Sequence, residues 1–211
     1  MNRSLVEKEK YDLSYTDPNY KMGQARKNSA KKCIDWVLDR TGIETHLDTS
    51  AGRGEIVDFM RSKNINSIGT EIVDSLLVPD KILFAWSNDL PFDDNSFDFL
   101  TNLDAMEHYL PEQTEEIIEE FCRVTKKYIY FAISNTNSFH KGNDLHINKK
   151  PYEEWFEILS KYGKVEWLYK KDNLVFWEKL PHSHQPELLN PCWILKTILL
   201  SVSSPIHLKY H

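Results

Sequence analysis

Three places in this sequence carry side chains whose types and spacing suit chemistry. The first is Asp48-Thr49-Ser50-Ala51-Gly52-Arg53-Gly54, an acid followed by small residues. Small side chains let a backbone approach a ligand closely, and Asp48 can orient a polar or cationic group. The second is Glu71, seventeen positions beyond Gly54, where a carboxylate at a strand end can take both hydroxyls of a ribose. The third is Asp104-Ala105-Met106-Glu107-His108. Positions i, i+3 and i+4 of a helical turn face one side, so two carboxylates and an imidazole are expected to converge. Such a set suits a divalent cation, Mg²⁺ or Mn²⁺, and the loop from Phe139 to His146 can add a ligand. Without a metal, His108 or His146 is the natural general base.

These residues need a scaffold, and the hydrophobic pattern supplies one. An apolar face recurs from Gln24 to about Arg40 through Ala30, Cys33, Ile34, Val37 and Leu38, which suits a helix ended by Gly42. Strands are expected at 45–48, 67–71, 82–85, 97–103 and 128–133, with helices at 55–62, 111–126 and 151–162. Tyr128 to Ile133 is wholly apolar, as befits a strand buried on both faces. Lys164 to Leu180 reads as two strands about the turn signal Lys170-Lys171-Asp172-Asn173. Strands alternating with helices mean an α/β fold with a parallel sheet covered on both sides, here closed by an antiparallel hairpin. In such a sheet the ligand sits at the carboxyl ends of the strands, where the glycine loop and Glu71 lie. The spacing fits a nucleoside-containing cofactor, with a dinucleotide and S-adenosylmethionine both open at this point.

Composition narrows the function classes. The 211 residues suit one domain, and 41% hydrophobic with 27% charged residues describe a globular chain. Lys and Arg number 26 against 32 Asp and Glu, a formal charge of −6 that counts against a general phosphate-backbone binder. Cys33, Cys122 and Cys192 are far apart, as for free thiols in a reducing compartment. The N-terminus is charged too early for a signal peptide, and the most apolar stretch, 193–202, is half the ~20 residues of a membrane span. A cytoplasmic chain without a membrane span is expected.

The glycine loop is of the D-x-G-x-G-x-G type, with Ser50 at the first glycine. Leu90-Pro91-Phe92-Asp93-Asp94-Asn95-Ser96-Phe97-Asp98 and Glu107-His108-Tyr109-Leu110-Pro111-Glu112 follow in order. In these motifs the chain resembles the class I S-adenosylmethionine-dependent methyltransferases over residues 24–180. The resemblance implies a Rossmann-like sheet of seven mostly parallel strands. It implies that Asp48, Ser50, Ala51, Gly52 and Gly54 wrap the methionine part of the cofactor and that Glu71 holds the ribose. The adenine falls to Trp86-Ser87, where the family's usual Asp-Ala pair is replaced, so Asn88 or Asp89 is expected to meet the amino group and Trp86 to pack on the purine. Residues 1–23 read as an irregular arm whose Tyr20 and Gly23 close over the cofactor.

Asp104-Ala105-Met106-Glu107-His108, an E-x-x-E-H signature with the shorter Asp104 at the first Glu, followed by a distant His before a Trp-containing helix, also resembles two metal-dependent O-methyltransferase groups. One modifies the terminal 2′-hydroxyl of small RNAs, the other acts in ubiquinone biosynthesis. The resemblance implies metal ligands Asp104, Glu107, His108 and His146, the last nine residues before Trp155. Glu107, His108 and His146 would then be the catalytic residues. A cation bridging two oxygens lowers a hydroxyl pKa, so adjacent hydroxyls are implied. A sugar or glycan ranks first as acceptor, an aromatic diol or quinone precursor second, and an RNA 3′ end third because of the acidic charge. From another class, a non-catalytic cofactor-binding scaffold is the alternative. Residues 181–211 read as an extension with one apolar helix from Trp193 to Leu200, and 191–205 offers a contact for a partner domain or dimer mate.

Overall fold

The computed structural model describes residues 3–20, 24–39, 42–171, 174–176 and 197–202. Its elements are α1 (Arg3–Tyr15), α2 (Gln24–Leu38), β1 (Thr45–Thr49), α3 (Glu55–Ser62), β2 (Asn66–Glu71), β3 (Ile82–Phe84), β4 (Phe97–Leu103), α4 (Thr114–Val124), β5 (Thr125–Ile133), β6 (Phe139–His140), β7 (Asn143–Asp144), α5 (Tyr152–Ser160), β8 (Lys164–Lys171), β9 (Leu174–Phe176) and β10 (Thr197–Val202). The main sheet runs β3-β2-β1-β4-β5-β10-β8-β9, and every pair is parallel except the β8–β9 hairpin. β6 and β7 form a separate two-stranded ribbon.

The five parallel strands β3-β2-β1-β4-β5 carry the crevice, and alternation along them divides the core in two. On one face Phe99, Leu103 and Tyr130 pack with Ile34 and Val37 of α2 and with Ile56 and Met60 of α3. On the other, Leu47, Leu100, Ile129 and Phe131 pack with Ile117, Ile118 and Phe121 of α4 and with Trp155 and Leu159 of α5. Each such large side chain contributes about 1.5–3 kcal/mol on burial, so both faces are firmly seated. β4 is buried at all seven positions, as a central parallel strand must be.

Two expectations from sequence are corrected. The irregular N-terminal arm is helical over Arg3–Tyr15. Ion pairs one turn apart, Lys8 to Asp12 at 2.8 Å and Lys10 to Glu7 at 2.7 Å, support a helix that has little apolar periodicity. The apolar helix read over 193–200 is a strand from Thr197 onward, inserted between β5 and β8, and among the described residues the sheet has eight strands where seven were expected. An unbroken apolar run has no period to separate a buried strand from a buried helix, and pairing with two neighbours decides it. Residues 193–196, like Gly23, lie outside the described residues. Among the described residues, no helix is long and apolar enough to cross a membrane.

Candidate active site

β1 ends at Thr49 and the chain turns at once through Ser50, Gly52 and Gly54, all with positive φ (54°, 55° and 72°). Glycine adopts this region freely, whereas serine needs support, and the Ser50 hydroxyl is held 2.8 Å from the Tyr109 hydroxyl. Gly69 of β2, which the sequence did not single out, lets the loop settle. A Cβ there would lie 2.7 Å from Ala51 Cβ and 3.1 Å from Val57 Cγ2.

Glu71 closes β2, as expected, and binds the loop directly. Its Oε2 accepts from Gly52 N at 2.8 Å, while Oε1 accepts from Ile72 N at 2.8 Å and Val73 N at 3.3 Å. Burial pushes its carboxyl above the ordinary range, against these three N–H donors. Asp48 is buried as well, and burial raises its carboxyl to about 7 while the Thr101 hydroxyl, donating at 2.6 Å, favours ionisation.

Two cavities open side by side above these residues, sharing Tyr15, Tyr20, Ser50, Asp104 and His108. The larger, about 260 Å³, brings together Asp48, Ser50, Ala51, Gly52 and His146. The smaller, about 120 Å³, brings together Glu71, Trp86, Ser87 and Asn88. Of the described cofactor residues read from sequence, Gly54 and Asp89 line neither cavity. The role of Gly54 is local: it precedes α3 and passes within reach of Lys81 and Ile82 of the β3 edge. Asp89 is taken up in a tight turn, donating from N to Trp86 O at 3.0 Å.

Three tyrosines of the N-terminal segment roof the cavities. Tyr15 and Tyr20 stack edge to face at 4.9 Å, and Tyr20 meets His140 at 4.9 Å. The Tyr11 hydroxyl lies 2.8 Å from His108 Nδ1. Tyr11 and Tyr15 are one helical turn apart, the signal that would have found them had the segment been read as a helix. Tyr109 was also missed. Its hydroxyl joins Ser50, Ser87 at 2.9 Å and Asn102 Nδ2 at 2.8 Å, tying three strand ends together.

At the far side of the larger cavity, Glu107, His108 and His146 place ligand atoms within 4.8 Å of one another. His146 Nδ1 lies 2.6 Å from Thr136 O, and His108 Nδ1 lies 2.8 Å from Leu145 O. A carbonyl only accepts, so Nδ1 of each ring donates to it, and at His108 the same Nδ1 also lies 2.8 Å from the Tyr11 hydroxyl. Glu107 is fully buried, its Oε1 accepting from Ser134 N at 3.1 Å. Asp104 falls outside this group. Its φ of 55° ends β4 in a kink, and Met106–His108 forms a 3₁₀ turn, so the α-helical spacing that was to align residue 104 with 107 and 108 does not exist. Asp104 faces both cavities instead.

From Leu47 in β1 to Ile133 at the end of β5, the sequence matches the family described as "Methyltransferase domain". Residues 47–133 resemble a methyltransferase domain. The matched segment contains the glycine loop, Glu71 and the Glu107-His108 pair, while Tyr11, Tyr15, Tyr20 and His146 come from outside it. Among solved structures, the chain is similar to 1,6-didemethyltoxoflavin-N1-methyltransferase from Burkholderia thailandensis, a complex with its substrate and S-adenosylhomocysteine (TM-score 0.59, 15% identity, covering 75% of this chain and 76% of that one). It is also similar to the [4+2]-cyclase SpnF (TM-score 0.51, 18% identity, 77% and 72% covered). At such identities the likeness is one of fold, and the second shows that this fold hosts other chemistry. The chain spans 61, 51 and 42% of the length of the first three solved structures it matches. No curated protein sequence matches it significantly.

Proposed function

We propose that this chain is an S-adenosylmethionine-dependent O-methyltransferase assisted by a divalent cation. The observation that carries the reading is the pairing of a nucleoside-type crevice, built from Glu71 and the glycine loop, with Glu107, His108 and His146 beside it.

The residues fit both groups. For the cofactor, Glu71 offers carboxylate oxygens to ribose hydroxyls, Trp86 and Ser87 border the base, and Asp48 faces the amino acid end. The approach at Gly52 is tight, since a Cβ there would lie 3.0 Å from the Tyr15 hydroxyl. For the cation, one carboxylate and two imidazoles with Nδ1 donating to backbone carbonyls form a donor set that favours Mn²⁺ over Mg²⁺. When bound, the cofactor supplies an electrophilic methyl group and the cation acidifies a hydroxyl.

The chain's own residues do the rest. Tyr15 and Tyr20 cover the crevice with their rings, and His108 and His146 line the acceptor side, each oriented by its Nδ1 donating to a backbone carbonyl. A hydroxyl-rich acceptor suits the acids and tyrosine hydroxyls around the larger cavity, so a sugar or glycan diol is the proposed substrate class. An aromatic diol ranks next, and the net charge of −6 places an RNA end third.

The test is a calorimetric Mn²⁺ titration of chelator-stripped protein saturated with S-adenosylhomocysteine. Stoichiometric binding is expected, and His146→Ala should abolish it while leaving cofactor affinity near wild type. No binding to the wild type would remove the cation and leave a histidine general base as the mechanism to measure.

A further inference from the structure

Strand alternation places His46 and Asp48 on the same face of β1, and the parallel register sets Ser67 opposite His46 and Thr101 opposite Asp48. Three strands thus bring four polar side chains into one line on the side covered by α2 and α3. All four are buried, with His46 and Thr101 at 0% exposure. They are joined end to end. Ser67 Oγ lies 2.8 Å from His46 Nδ1, His46 Nε2 lies 3.0 Å from Thr101 Oγ1, and Thr101 Oγ1 donates to Asp48 Oδ1 at 2.6 Å.

The direction of this line follows from donor counting. An ionised Asp48 only accepts, so the single Thr101 proton points at it. Thr101 Oγ1 must then accept from His46, which fixes the proton on Nε2. His46 Nδ1 is left bare and accepts the Ser67 hydroxyl proton. Every donor in the line therefore points toward the crevice, and the line ends on a carboxylate that forms the wall of the larger cavity.

We propose that His46 and Thr101 are positioning residues, forming a one-directional relay that orients Asp48 toward the cationic amino group of the cofactor. The inference rests on the methyltransferase reading. Apolar residues would pack this face without the desolvation cost that four buried polar groups carry. Burial and the nearby Glu71 carboxylate both oppose the charge on Asp48, and the Thr101 hydroxyl is the hydrogen bond that favours it. His46 itself stays neutral, pushed down to about 3 by burial, so it serves as a fixed donor.

Two measurements test this. Long-range ¹H–¹⁵N NMR of the histidines should find His46 as the neutral Nε2–H tautomer. Calorimetry with S-adenosylhomocysteine should show Thr101→Val, which keeps the side-chain shape, binding about tenfold more weakly, the scale of a lost hydrogen bond to a charge. Thr101→Ser should restore the affinity. His46→Gln, whose amide nitrogen occupies the Nε2 position, should stay within about twofold of wild type, while His46→Leu should fall with Thr101→Val. An Nδ1–H tautomer at His46, or unchanged affinity in a folded Thr101→Val, overturns the relay. A wild-type chain that does not bind S-adenosylhomocysteine overturns the functional reading itself, a result visible before any variant is made.

Discussion

Asp48 and Glu71 are two buried carboxylates at one crevice, each stabilised in a different way. Asp48 takes a side-chain hydroxyl, whereas Glu71 takes three backbone N–H groups from the glycine loop and its own strand end. Backbone donors cannot be mutated away, so Glu71 is held in place by the fold and only its own charge can be changed. Glu71→Gln keeps an acceptor for Gly52 N, sets its amide NH2 against the Ile72 and Val73 N–H groups, and removes the charged acceptor for ribose hydroxyls. Its affinity for S-adenosylhomocysteine should fall by about tenfold, the scale of a charge-assisted hydrogen bond. Calorimetry reads this directly, and an unchanged Kd would put the ribose elsewhere.

At the scale of elements, the loop between β1 and α3 and the helix α1 form the floor and roof of one cavity. Gly52 is where they nearly touch. Its φ of 55° disfavours any side chain, and the Tyr15 hydroxyl stands 3.0 Å from where a Cβ would be. Gly52→Val should therefore strain the loop and push the roof away. Loss of S-adenosylhomocysteine binding by more than tenfold is expected, with the circular dichroism of the sheet preserved. A variant that still binds would show that the cofactor does not cross this loop. α1 itself was hard to read, because tyrosines and paired charges give it no apolar stripe. Its helicity rests on i, i+3 and i, i+4 ion pairs and on Tyr11 and Tyr15 docking at the crevice, and the docking is a tertiary event.

For the whole molecule, the buried imidazole of His46 couples stability to pH. Burial holds its pKa at about 3 in the folded chain, against about 6.5 when unfolded. Below 6.5 the unfolded chain takes up the proton and the folded chain does not. The contribution of His46 is thus fully present above about 6.5 and is lost as pH falls toward 3. The midpoint of thermal unfolding should drop through this window in the wild type, and the drop should be shallower in His46→Gln. Equal slopes in the two proteins would mean that His46 is solvated in the folded state.

Features that depend on neighbours along the chain were legible before any fold was known. α3 and β4 occur at the expected residues, and the loop between β1 and α3 turns at Ser50, Gly52 and Gly54, because hydrophobic period and turn glycines act over a few residues. Glu71 could be placed at the crevice for the same reason, since a parallel strand after a crossover helix ends beside the first. Features that involve partners far apart in the chain emerged with the fold. The positive φ of Asp104 removes it from the Glu107, His108 and His146 group, although the linear spacing placed all of them on one turn. Residues 197–202 are a strand because β5 and β8 flank them. His46 reads as one polar residue among Thr45, Asp48 and Thr49 until the register sets Ser67 and Asp48's partner Thr101 around it. Hydrogen-bond direction is a property of the assembled set, because each proton can be assigned only when every acceptor around it is known.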